Sequence, residues 1–387
     1  MISKPLKRVV LFCTFGPPSL AFARTCARNG IEVCLLERTK DGTPSGYSSA
    51  LHEREAIPDW MGHTNEALKT LASYCNKVSA QALIAVSEID LLWLASNRGV
   101  FEPQVRLLAA SEESLQRLQS KEEQIELARQ AGFDVLQTWI LKSVNDYRIV
   151  PQDQYPICVR PSNPADVSPT FKARVLHSSE ELRTLLTDLT CFNGSIITQP
   201  FLKLPDLKVH GARATDGKIL AMRPFFVERK FEGVTLTLRR GTFPSKLEET
   251  CRKFSELAGI EGCFHFDLLF DPENGKTYYL EVNVRMGGIT DKAKAFGYDQ
   301  PVFIFKCFGL GNRTWQTVEP TIRNRVVTKR SVIKHMITVI TGKHSELDYP
   351  QVGRLRHLFL SCRDLVVARD SVFDLRDLKG TIWFNFQ

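Results

Sequence analysis

The stretch from Phe264 to Arg285 constrains this chain more than any other. Phe264-His265-Phe266-Asp267-Leu268-Leu269-Phe270 is an apolar run interrupted by an acid, a turn from Asp271 to Lys276 follows, and Thr277 to Val284 returns as a second strand. Side chains two apart on a strand share a face. Glu281 and Asn283 therefore point the same way, and with Asp267 opposite them three oxygen donors converge. Apolar neighbours such as Phe264, Phe266, Tyr279 and Leu280 would bury these groups, which is costly unless the charge is compensated. Hard oxygen donors suit Mg²⁺, with Mn²⁺ as the alternative, because Mg²⁺ binds through few protein carboxylates and bridges nucleotide phosphates. Arg285 follows on the same face and can offset charge on a phosphoryl group. The glycines Gly287-Gly288 let backbone N–H groups approach a ligand. A lone acid in such a hairpin faces solvent; the whole set reads as a site. His265 is expected to turn away from Asp267, as a core or interface histidine.

The rest of the chain alternates strands and helices. Val9 to Cys13, Ser19 to Asn29 and Ile31 to Leu36 read as strand, helix and strand, a βαβ unit with a parallel pair. The turn between them has only Gly16, so the glycine spacing of a dinucleotide fingerprint is missing. Further strand and helix signals carry an open α/β domain to residue 110. Two helices start near Ser111 and at Lys121, the second closed by Gly132. Residues 133 to 202 alternate short strands with one helix. Lys208 to Arg240 reads as longer antiparallel strands joined by Asp216-Gly217 and Glu232-Gly233. Arg223, Arg229, Arg239 and Arg240 cluster there, either to bind a carboxylate or to solvate a sheet face. For the tail 312 to 387 three roles stay open: completing a substrate pocket, a homodimer contact, or binding a partner.

Composition narrows the partners. The net charge of +8 suits an anionic ligand, yet Lys and Arg are scattered and no zinc-finger or RNP-type signature occurs, so nucleic acid is not an expected partner. The ten cysteines never form a C-x-x-C pair, the pattern of reduced, buried thiols in a cytoplasmic protein. The apolar run Val9 to Phe15 is short and ends in Gly16-Pro17-Pro18, a first strand rather than a signal peptide. Nothing approaches the roughly 18 apolar residues of a membrane span. The histidines show no H-x-x-x-H spacing and no G-x-S-x-G elbow appears, which argues against a zinc site and an α/β-hydrolase.

With its acidic strand followed by Glu281-x-Asn283-x-Arg285, the chain resembles the ATP-grasp superfamily over roughly residues 8 to 310, most nearly the carboxylate-amine ligases related to D-aspartate ligase and the carbamoyl-phosphate synthase large chain. The resemblance implies an ATP-grasp fold, of mixed α/β and α+β class, behind a Rossmann-like N-terminal domain. Its parts would be residues 1–110 (Rossmann-like), 111–202 (linker helices and lid), 203–311 (metal and nucleotide subdomain) and 312–387 (C-terminal extension). It also implies ATP with Mg²⁺ on Asp267, Glu281 and Asn283, and Arg285 meeting the phosphates and the reacting intermediate. The substrates would be a small carboxylate and an amine, joined through an acyl phosphate. Upstream, Lys121 matches a phosphate-contacting lysine, and Arg160 in Tyr155-Pro156-Ile157-Cys158-Val159-Arg160-Pro161 stands where the family has lysine, a fork in place of a point charge. Gln199, Phe201 and Leu202 match the strand and hinge that hold adenine through backbone groups, and Asp206 is the candidate for the ribose. Residues 161 to 176 contain no glycine, unlike the family's phosphate-covering loop. Lys172 could take over that loop's role electrostatically.

Overall fold

The computed structural model describes residues 5–39, 43–57, 64–163, 166–311, 313–342 and 345–386. The first part contains β1 (Arg8–Cys13), α1 (Pro17–Arg28), β2 (Glu32–Arg38), β3 (Glu53–Ile57), α2 (Thr64–Lys77), β4 (Ala82–Ala85), α3 (Glu88–Ser96), α4 (Arg98–Phe101) and β5 (Arg106–Leu107). Its five strands pair in parallel in the order 3-2-1-4-5, a Rossmann-like arrangement. β1 and β4 are apolar on both faces and almost wholly buried, as parallel strands covered by helices on both sides are. The edge strand β3 has the sequence Glu-Arg-Glu-Ala-Ile, so no apolar run announces it.

Two helices follow, α5 (Glu112–Gln119) and α6 (Lys121–Ala131). Ser120 caps α6 by accepting from the Glu123 N–H at 3.3 Å, Glu122 and Glu123 sit at its positive end, and Gly132 closes it with φ +97°. This cap fixes Lys121 as the first helical residue. Next come β6 (Asp134–Val135), β7 (Trp139–Leu141), β8 (Ile157–Pro161), β9 (Val167–Ser168), β10 (Arg174–Leu176), α7 (Ser179–Thr187), β11 (Cys191–Phe192) and β12 (Ile196–Pro200). Four of these strands form a small antiparallel sheet, 10-8-12-7. It has a core of its own, in which Leu182 and Leu186 of α7 meet Ile157, Val159 and Ile196.

The remaining elements are β13 (Asp206–Arg213), β14 (Ile219–Phe231), β15 (Val234–Arg240), α8 (Leu247–Leu257), β16 (Gly262–Phe270), β17 (Thr277–Asn283), α9 (Thr290–Ala295), α10 (Gln300–Cys307), β18 (Arg325–Val327), α11 (Lys329–Ile340), α12 (Arg354–Val367), β19 (Arg369–Asp370) and α13 (Leu378–Phe386). Together with β6 their seven strands build an eight-stranded sheet in the order 19-18-15-14-13-16-17-6. One face of it is apolar: Leu207, Val209, Phe264, Phe266, Leu268 and Val282 are buried in a core shared with Phe254 of α8 and Leu127 of α6. The other face carries the candidate site.

The end of the chain is tied to its beginning. The buried Arg24 of α1 donates to Asp377 at 2.8 Å, to the Val372 carbonyl at 2.6 Å and to Thr381 at 3.0 Å, and Asp377 also accepts from Ser48, Ser49 and the Gly380 N–H. On the far side of the large sheet, Arg229 of β14 pairs with Asp364 of α12 at 2.9 Å. All ten cysteines are free, and only Cys158, Cys191 and Cys362 are not buried. Among the described residues no helix is long and apolar enough to cross a membrane.

Candidate functional site

Strand register assembles the site row by row. Lys208 of β13 stands opposite Asp267 of β16, which stands opposite Glu281 of β17. In the next row His210 faces His265, and His265 faces Asn283. The two-residue period puts both rows on the polar face. β17 lies near the sheet edge, where β6 reaches only Tyr278 and Tyr279. Gln124 of α6 serves the strand beyond that point, accepting from the Val282 N–H at 3.0 Å and donating to the Val282 carbonyl at 3.2 Å. A helix side chain thereby satisfies backbone groups that a longer β6 would have met, and it locks α6 against β17.

That contact delivers Lys121 to the acidic strand. Lys121 Nζ lies 2.6 Å from Glu281 Oε2, and Arg160 Nη1 of β8 lies 3.7 Å from the same oxygen. Burial pushes the Glu281 carboxyl up, but the two cations outweigh it and hold its pKa well below the usual carboxylate range. Lys208 Nζ pairs with Asp267 Oδ1 at 2.6 Å. Burial there favours the neutral amine, and Asp267 and Asp206 reverse it, raising the Lys208 pKa. Asn283 donates to Glu281 Oε1 and accepts from Arg285 Nη2, each at 3.4 Å. The Arg285 guanidinium also reaches Glu88 of α3 at 3.7 Å, so it stands between the large sheet and α3.

The structure thus gathers Lys121, Arg160, Asp267, Glu281, Asn283 and Arg285 into one cluster. Gln199 borders it, accepting from Arg160 at 3.3 Å and donating to Thr138 at 2.9 Å. Asp206 pairs with Lys230 at 2.7 Å, one row beyond Lys208. Phe201 and Leu202 are half-buried in the connection from β12 to β13, and the Phe201 N–H already donates to the Pro156 carbonyl at 2.9 Å. Lys172 is exposed in the loop before β10 and does not join the cluster. The four arginines of β14 and β15 do not converge either, although Arg223 stands opposite His210 and so extends the second row of the site. Arg229 is buried against Asp364, Arg239 pairs with Glu228, and Arg240 lies over the Phe296 ring.

His265 departs from expectation. Two residues from Asp267 on one strand, it shares that residue's face rather than turning away. Its ring lies 5.2 Å from that of His210, and burial, then neighbouring charge, keeps both histidines neutral. Gly287 covers the pair so closely that a Cβ there would lie 3.0 Å from either ring. Lys208, His210, Gln124 and Glu88 are the members that pattern reading missed. The alternation in Asp206-x-Lys208-x-His210 was the one available signal.

The donor set fits a hard divalent cation. Asp267 and Glu281 are opposed in register with Asn283 two residues on, and such a cation needs only one or two protein carboxylates when phosphates complete its shell. Among the described residues there is no group of three or more His, Cys, Asp or Glu side chains that could hold a metal alone. Four cations, Lys121, Arg160, Lys208 and Arg285, stand among three carboxylates, Asp267, Glu281 and Glu88, leaving one positive charge in excess.

No family model matches the sequence, and no curated protein does. Solved structures match the fold. N5-carboxyaminoimidazole synthetase from Staphylococcus aureus, complexed with ADP, aligns with TM-score 0.62 and 15% identity over 82% of this chain and 81% of that one. The biotin carboxylase domain of 2-oxoglutarate carboxylase from Hydrogenobacter thermophilus, a dimer complexed with MgADP, ADP and bicarbonate, gives TM-score 0.62 and 14% identity over 82% and 72%. An L-amino acid ligase from Bacillus licheniformis gives TM-score 0.61 and 14% identity over 79% and 75%.

Proposed function

We propose that this chain, which has the ATP-grasp fold, is an ATP-dependent carboxylate–amine ligase. The observation that carries the reading is the row Lys208–Asp267–Glu281–Lys121, two opposed carboxylates flanked by lysines, with Arg160 and Arg285 beside it. The likeness to a synthetase, a carboxylase and an amino acid ligase, two of them with bound ADP, supports the same class.

A carboxylate is a poor electrophile. In the proposed reaction its oxygen attacks the γ-phosphorus of ATP, ADP leaves, and the carbonyl carbon becomes an acyl phosphate. An amine then attacks that carbon, loses a proton, and expels phosphate to leave an amide or peptide bond. Asp267, Glu281 and Asn283 would hold Mg²⁺ or Mn²⁺, which when bound supplies neutralisation of phosphate charge. Lys121 and Arg160, now on Glu281, are placed to exchange that carboxylate for phosphate oxygens, and Arg285 offsets charge where the phosphoryl group transfers. In the Gly287-Gly288 loop the exposed Gly288 would offer its backbone N–H to the activated acyl group, since the Gly287 N–H is held by Gln300 at 3.2 Å. Phe201 and Leu202 would hold adenine with Gln199 beside them, Asp206 would meet the ribose, and Lys172 would reach the phosphates only if its loop closed.

Purified protein incubated with Mg-ATP, pooled amino acids and small carboxylates should release ADP and yield a product whose mass equals acid plus amine minus water. A product of acid plus phosphate, or of acceptor plus carboxyl, would replace this reading with a kinase or a carboxylase on the same fold. A second reading, a nucleotide-binding regulatory or scaffold protein, is favoured by one observation. Arg160 spends Nη2 on the Leu280 carbonyl at 2.8 Å and on Gln199, beside a lid that has no glycine from 161 to 176. Calorimetric nucleotide binding without ADP release on any mixture would favour it.

A further inference from the structure

α12 is apolar on the side it turns to solvent. Its buried side chains are His357, Leu360, Ser361 and Asp364, and Asp364 is anchored inward by Arg229, Arg363 and Thr237. Outward it presents Leu355, Phe359, Cys362 and Val366, spaced i, i+4, i+7 and i+11, which is a single stripe down a helix. Leu355 is 83% exposed, Phe359 60% and Val366 76%. α11 packs along α12, with the His335 and His357 rings 5.2 Å apart at their contact, and adds exposed Ile333, Ile337 and Ile340 at i, i+4 and i+7. Isolated exposed aliphatics are ordinary on a protein surface; exposed apolar stripes on two helices packed against each other mark a docking face.

The surrounding charge selects the occupant. α11 and α12 carry Lys329, Arg330, Lys334, Arg354, Arg356 and Arg363, and their single acid is the buried Asp364. The Arg356 guanidinium lies 5.6 Å from the centre of the Phe359 ring, so cation and apolar group are offered together. Residues 312 to 387 hold thirteen Lys and Arg against seven Asp and Glu, a net +6 of the chain's +8. A second copy docked through the same stripes would set these cations against each other, with no exposed acid on either helix to answer them. Nucleic acid would answer the cations but not the Leu, Ile and Val side chains, which gain only by leaving water for hydrocarbon. A bilayer with anionic headgroups answers both.

We propose that α11 and α12 form a docking face for an anionic membrane surface. Leu355, Phe359 and Val366 enter the boundary between headgroups and acyl chains, while Lys334, Arg354 and Arg356 meet lipid phosphates and carboxylates. No spanning helix is required.

Flotation of the full chain tests this with vesicles of phosphatidylcholine alone and of phosphatidylcholine with phosphatidylserine. The protein should float with the anionic vesicles, and the bound fraction should fall as salt is raised. Lys334→Glu and Arg354→Glu should each lower the partition coefficient by roughly fivefold or more, and Leu355→Asp with Phe359→Asp should abolish flotation. All four side chains point outward, so circular dichroism and melting temperature should stay unchanged; Leu355→Ser with Phe359→Ser is the milder pair if the aspartates disturb the fold. Flotation with neither vesicle, or equally with both, would overturn the proposal. So would a concentration-dependent dimer, seen by light scattering, that Phe359→Asp dissolves, since that assigns the face to a second copy.

Discussion

Lys121 Nζ and Glu281 Oε2, 160 positions apart in the chain, lie 2.6 Å from each other. The pair joins the first residue of α6 to the last acid of β17, the two elements that Gln124 holds together from behind. Under the proposed reaction, Glu281→Gln and Asn283→Ala should abolish turnover, and Arg285→Ala should lower kcat by at least about 10²-fold. The Lys121–Glu281 pair is mostly withdrawn from solvent, so removing one partner should cost about 1–3 kcal/mol of stability. ADP release together with thermal melts checks both halves. Full activity in both strand variants would remove the metal assignment.

Asp377 sets an acid limit. Burial raises its pKa, but Ser48, Arg24, the Gly380 N–H and Ser49 outweigh that and hold it at about 2, below the usual value of about 4. A depressed carboxyl contributes stability above its unfolded pKa and loses it as pH falls through the folded one. The stability gap between wild type and Asp377→Asn should therefore be full at pH 7, shrink below about pH 4 and close near pH 2, as urea midpoints across that range would show. Arg24→Ala, which strands the same carboxylate, should cost about 3–5 kcal/mol at neutral pH.

Arg229 and Asp364 are both buried at the contact between β14 and α12. Asp364→Ala leaves a buried guanidinium without its main partner and should destabilise by about 3–5 kcal/mol. Replacing both residues, Arg229→Met with Asp364→Leu, should cost much less than the two single changes added together. Urea midpoints of the three variants supply the comparison.

Gly211 lies opposite Phe264 in the register of β13 and β16. A Cβ at that position would sit 2.2 Å from the ring of Phe264, so Gly211→Ala should destabilise by about 1–3 kcal/mol through overpacking. Adding Phe264→Leu should recover part of the loss in the same melting experiment.

Local periodicity made the hairpin of β16 and β17 legible, along with the opening βαβ unit, the serine-capped start of α5 and the glycine that closes α6. Each is written within a few consecutive residues. The row that completes the site was not legible, because it depends on β13 lying beside β16 although β14, β15 and α8 intervene in sequence; Lys208 and His210 enter by that neighbourhood alone. β6, β18 and β19 are two or three residues long, too short for any alternation to register. The tail helices were obscured for another reason. α12 spends apolar residues outward and polar ones inward, which reverses the pattern by which a helix is recognised. His265 differs again: the strand that holds it was recognised, and the period of two places it with Asp267.

The clasp around Arg24 also has a consequence in time. Its partners Val372, Asp377 and Thr381 lie 348 to 357 positions downstream, so α1 leaves the ribosome before they do. Until residues 372–381 have been made the guanidinium lacks the contacts that bury it, so the Rossmann-like part cannot reach its final packing before then. A chain stalled ahead of those residues would leave the Arg24 side of α1 uncovered.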